Sequence, residues 1–219
     1  MNSNRVVLSI LLFGSLWGIG ELWLGEIALA QDIPRAPLLT AIGVLLLVLS
    51  RRIWPAPGSS LALAGVASVF KLLQHPVWGC KLAAVLMVGA VFELGFTLYE
   101  ARRMRARSAT STSSAPALLG LSALAAALTF ASFVLFAYFA RDVLHNPFWA
   151  IPERMTDYML VQGPIAAIIA MPAAAGGRLL ADRLVETSRR WTSAGRLIFR
   201  VAALGSSAAG VVSALVLRY

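Results

Sequence analysis

Glu21, Glu26, Lys71 and Glu93 interrupt stretches that otherwise contain almost nothing but apolar and small residues. Between Val6 and Ala30, Glu21 and Glu26 carry the only charges, while Lys71 and Glu93 break later apolar runs. A charge at hydrocarbon depth costs at least a few kcal/mol, so such groups face a bundle interior, a partner or a wet cavity. The chemistry open to them is ion pairing, retention of a carboxylate or phosphate ligand by Lys71, and proton exchange at a carboxyl. Each use requires helices that hold the groups at matching depth.

Composition says what those helices are. Of 219 residues, 59% are hydrophobic and 13% charged, and the mean hydropathy is +0.78. A soluble domain would carry about twice that charge. The length fits one integral membrane domain of six or seven spans at roughly 20 residues each. A net charge of +9 would suggest nucleic acid in a soluble protein, but the arginines cluster between apolar runs, where they read as topology signals. No nucleic-acid partner is expected. A single cysteine, Cys80, excludes an internal disulfide framework and any multi-cysteine metal site.

The apolar runs place spans near 6–30, 37–54, 59–75, 81–100, 116–141, 157–181 and 195–217. The first ends in Ala28-Leu29-Ala30-Gln31, which resembles a signal-cleavage pattern. It is longer than a signal h-region of about 7–15 residues and contains two glutamates, so it reads as a retained helix. The third is short and carries Lys71, which predicts a re-entrant or tilted helix. The fold is therefore read as an all-α polytopic membrane bundle of about seven spans, six being the alternative count. A four-helix half (1–107) is joined through a Ser/Thr-rich linker (108–116) to a three-helix half (117–219).

Arg51-Arg52, the arginines at 102, 103, 105 and 107, and those at 183, 189, 190 and 196 fall on one side if the spans alternate. The positive-inside rule makes that side, with the N-terminus, cytoplasmic. The expected location is the cell (inner) membrane, multi-pass.

Spacing turns charges into faces. Gly14, Gly18, Glu21 and Gly25 recur at four, three and four on the first helix. Gly14-xxx-Gly18 is a small-xxx-small pattern that admits a second backbone. The stripe serves either internal packing or a docking face for a partner subunit. On the third helix Ala64, Ser68, Lys71 and His75 form a small and polar stripe. Lys71 either snorkels to the outer surface or pairs with Glu21 or Glu26. On the fourth helix Gly89, Glu93 and Glu100 share a face. Glu93 is expected at middle depth, with Arg200 as its partner or with a proton in place of one. Glu100 is expected at the cytoplasmic boundary, beside the arginine cluster.

The segment from Arg141 to Tyr158 combines prolines, aromatics and charges, including His145 and Trp149. Trp149 and Tyr158 suit an interfacial belt, and the segment has the length of a lid over an outward-facing pocket. Gln162-Gly163-Pro164 and Pro172 follow and predict a kink or break. No metalloprotease helix, glycine-rich phosphate loop or serine-nucleophile elbow is present, so no enzyme activity, cofactor or metal centre is expected. A haem held by His75 and His145 defines the electron-transfer anchor alternative.

The residues Phe13-Gly14-Ser15-Leu16-Trp17-Gly18-Ile19-Gly20-Glu21, Leu24-Gly25, Pro57-Gly58-Ser59-Ser60-Leu61, Lys71 and Glu93 resemble those of a group of uncharacterised small bacterial and archaeal membrane proteins. That group in turn looks like the substrate-binding S components of energy-coupling factor transporters. The likeness covers about residues 10–100. It implies a compact helical bundle that captures a vitamin, a related metabolite or a metal ion from outside, with separate coupling and ATPase subunits. In those proteins a small-residue motif on the first helix contacts the coupling subunit. Gly14 and Gly18 are the matching positions, although the usual motif has alanines and the usual span count is six. Ligand-binding or buried-charge roles are expected for Glu21, Lys71, Glu93, Glu26, His145 and Trp149, and a partner-helix interface for Gly14, Gly18 and Gly25. The competing expectation is a non-catalytic structural subunit of a larger membrane complex.

Overall fold

The computed structural model describes residues 3–30, 35–73, 79–106, 115–139, 152–189 and 193–216. Among them there is no strand, and the helices fall into seven rods. In chain order these are α1 (Ser3–Ala30), α2 (Arg35–Ile53), α3 (Ser59–Leu73), α4 (Gly79–Ala106) and α5 (Ala115–Phe139). A sixth rod joins α6 (Pro152–Asp157), a π turn (Tyr158–Gln162) and α7 (Gly163–Arg189), and the seventh is α8 (Ser193–Val216).

Five rods are long and apolar enough to cross a membrane, namely α1, α2, α4, α5 and the sixth. The other two are shorter where they are apolar, over Ser59–Leu72 in α3 and Val201–Ser213 in α8. The count of seven thus holds for helical rods, and five of them meet the length of a span. With 15 residues, α3 rises only about 22 Å, short of the roughly 30 Å of hydrocarbon.

Where the helices begin and end follows from local chemistry. α2 stops at Ile53 because Trp54 precedes Pro55, and the residue before proline is pushed out of the helical region. The turn that follows closes at Gly58, whose φ of +81° suits glycine, and α3 starts at the next residue. Gln162-Gly163-Pro164 was expected to kink or break its helix. The helix is interrupted there by the π turn, with the Gly163 N–H bonded to the Tyr158 carbonyl five residues back. Pro172 lies inside α7 without ending it.

α2 is the most enclosed of the five spanning rods, with more than half of its span buried. It runs between α1 and α7, while α3 bridges α1 to α4, α5 bridges α4 to α7, and α8 covers α1 and α3 from outside. The shared core contains Phe13, Trp17, Leu47, Leu63, Phe92 and Phe96. Large apolar residues also point outward on most rods, among them Leu94, Leu160, Ile168 and Leu204, each more than half exposed.

Small residues set the closest crossings. A Cβ on Gly14 would lie 2.7 Å from Val66 Cβ, and one on Gly18 2.2 Å from Phe70 Cδ2. The α1 glycine stripe is thus filled by the chain's own α3. Of the two uses expected for the stripe, internal packing is the one found at Gly14 and Gly18, where the chain's own helix takes the place of a partner subunit: the short α3 has to be held along its flank, and the glycines provide the groove. Gly25 is helical, and its surroundings lie outside the described side chains. Phe70 is enclosed from the other side by Gly210 of α8, where a Cβ would come within 2.2 Å of Cε1.

With its ring held between two glycines, Phe70 has no room to yield to a methyl group. Gly18→Ala is therefore expected to lower stability by about 1–3 kcal/mol, as overpacking does. Gly20→Ala, whose Cβ would meet nothing closer than 3.7 Å, serves as the control. Thermal unfolding in detergent reads the difference, and equal midpoints for the two variants would show that Phe70 is not wedged.

Candidate functional site

The first charged cluster joins α1 to α3. Lys71 Nζ lies 2.9 Å from Glu21 Oε2, with side-chain exposures of 7% and 8%. Nζ also donates to the Glu21 carbonyl at 3.3 Å, and Trp17 Nε1 donates to the other carboxylate oxygen, Oε1, at 3.2 Å. Both oxygens of the carboxylate therefore have donors, and Lys71 places two of its three N–H groups on one residue. Trp17 reaches Glu21 because the two are four residues apart on one helical face. Its indole is fixed against α2, where a Cβ on Gly43 would lie 2.6 Å from Cζ2. Leu22, Phe70 and Val66 form an apolar cluster beside the pair. Lys71 thus turns inward to Glu21 and does not snorkel. The Glu26 side chain lies outside the described ones.

The second cluster joins the end of α2, the start of α3 and the middle of α4. Arg51 lies 3.2 Å from Glu93 Oε1 and 2.8 Å from Glu100 Oε2. Its NH1 also donates to the Ala56 carbonyl and reaches Ser59 Oγ at 3.4 Å. Glu93 in turn accepts the backbone N–H of Gly58 at 2.8 Å and of Ser60 at 3.0 Å. A carboxylate from α4 thus fills the place of an N-cap for α3 and faces the positive end of that helix.

Arg51, expected only as an orientation signal at a helix end, has 4% of its side chain exposed, because a planar guanidinium can serve two carboxylates and a carbonyl at once. Glu93 thus pairs with Arg51, while the Arg200 side chain, expected as its partner, lies outside the described ones. Glu100, 40% exposed, pairs with the same guanidinium. Arg52, by contrast, makes an open surface pair with Asp182 of α7 at 3.1 Å.

Tyr158, expected in an interfacial belt, packs on α5. Its ring stacks on Phe130 at 4.9 Å and lies 5.7 Å from Phe133. The π turn presents this residue to α5. His145, Trp149 and His75, with them the lid and the haem alternative, lie outside the described residues, as does most of the Ser/Thr-rich linker.

Trp17, Arg51 and the N-terminus of α3 were not assigned to a charged cluster from the sequence. A signal existed for Trp17, a ring donor one helical turn from a buried acid. For Arg51 and α3 there was none, since residues 51, 58–60 and 93 come together only through packing. Comparison with protein-family models, with curated proteins and with solved structures returned no match.

Proposed function

We propose that this chain is a multi-pass protein of the cell (inner) membrane that captures a small solute such as a vitamin, a related metabolite or a metal ion. It would work with separate coupling and ATPase subunits, since its sequence shows no nucleotide site. Support for the membrane setting comes from five rods of spanning length, with apolar side chains outward and Arg51, Lys71 and Glu21 inward. The observation that carries the capture role is the Lys71–Glu21 pair, an ammonium and a carboxylate enclosed by apolar helices. A solute bearing a carboxylate or phosphate could replace the Glu21 carboxylate on Lys71, while one bearing a cation could replace the ammonium on Glu21.

One observation favours a second reading. Both ionic clusters are closed on themselves and the glycine groove is filled by α3, as suits a structural subunit of a membrane complex. Native mass spectrometry of gently extracted protein separates the two. Capture predicts a small-molecule adduct on the parent, absent from the Glu21→Gln/Lys71→Met double variant, which keeps the volume of the pair without its charge. Scaffolding predicts a fixed stoichiometric complex carrying no adduct, and that result would overturn the capture reading.

A further inference from the structure

We infer that Glu93 is a positioning residue for the Lys71–Glu21 pair, acting from the opposite end of α3. A full span is registered by two membrane interfaces, whereas α3, with 15 residues, is too short to reach both. Its place along the bundle axis has to come from contacts, and at its start these are ionic. Glu93 holds the N–H groups of Gly58 and Ser60, and Arg51 ties Glu93 to the Ala56 carbonyl and Ser59. Gly58, at φ +81° with nothing near its Cβ position, is the joint through which the turn would slip if released.

From Ser60 to Lys71 the helix rises about 16 Å as a stiff rod, so an axial displacement at one end arrives at the other. Lys71 meets Glu21 at 2.9 Å, a distance that a slip of about 1 Å would break. The flank contacts of Val66 and Phe70 fix rotation and separation, and Phe70 in its glycine slot resists part of the slip. Trp17 shares Glu21 with Lys71, so its indole reports whether the pair is intact.

The test is 19F NMR of the full-length protein in nanodiscs, labelled with 5-fluorotryptophan and assigned by Trp17→Phe. Glu93→Ala removes the cap and should displace and broaden the Trp17 resonance. Glu93→Gln retains one carbonyl acceptor for two N–H groups and should shift it by a smaller amount. Phe92→Ala, a core truncation on the same helix that leaves the α3 cap intact, should lower the unfolding temperature with the Trp17 signal in place. A Trp17 resonance unmoved in Glu93→Gln, or moved equally by Phe92→Ala, overturns the proposal, and Glu93→Gln decides if Glu93→Ala fails to fold. The consequence for solute binding rests on the proposed function, but this readout needs no solute, so either can fail without the other.

Discussion

Lys71→Met is expected to destabilise the bundle by about 3–5 kcal/mol, the loss typical when one partner of a buried ion pair is removed. The reason is what stays behind. Glu21, with 8% of its side chain exposed, would keep, among the described residues, only the Trp17 indole as donor and carry an uncompensated charge beside Leu22, Val66 and Phe70. Adding Glu21→Gln should restore most of the loss, because a neutral amide beside methionine removes the charge that made the single change costly. The comparison is a denaturation series of the parent, Lys71→Met and the double variant in mixed micelles. A single variant as stable as the double one would mean that water reaches Glu21 and that the pair contributes little.

The same pair shows what a linear sequence can and cannot convey. Apolar runs delimit helices because each spans many residues and its ends carry proline, glycine or arginine, so all seven rods lie near their expected positions. Lys71 could be matched to Glu21 or Glu26 as one of two outcomes, because opposite charges in apolar runs have few other ways to be satisfied, but neither the choice of glutamate nor the alternative of snorkelling was decided by spacing. The partner of Glu93 could not be matched this way. Arg51 is adjacent to Arg52 at a helix end, where the pattern signals orientation, and nothing local separates the arginine that turns inward from the one that pairs with Asp182 on the surface. Similarly, Gly14 and Gly18 announce a groove without naming the helix that fills it. That α3 is the occupant depends on its length, which leaves it to be held from the side and at both ends.

Arg51→Ala is expected to have an effect of similar size by a different route. Glu93 and Glu100, two turns apart on α4, would face each other across the space left by the guanidinium. Glu100 is 40% exposed and can draw on water, but Glu93 is 16% exposed and would be left with the N–H groups of Gly58 and Ser60 and the Thr97 hydroxyl, without its cation. A loss of about 3–5 kcal/mol follows, and Glu93→Gln in the same chain should recover part of it. Arg51→Lys should fall between, since a single ammonium cannot reach both carboxylates and the Ala56 carbonyl as the planar fork does. Joining Arg51→Ala with Lys71→Met then tests whether the clusters are independent. Sites this far apart with no shared partner add to within about 0.3–0.5 kcal/mol. If α3 transmits its anchoring from the second cluster to the first, Arg51→Ala has already loosened the Lys71–Glu21 pair. The combined loss in unfolding free energy should then fall short of the sum by more than that margin, whereas strict additivity would leave the two clusters as separate fastenings.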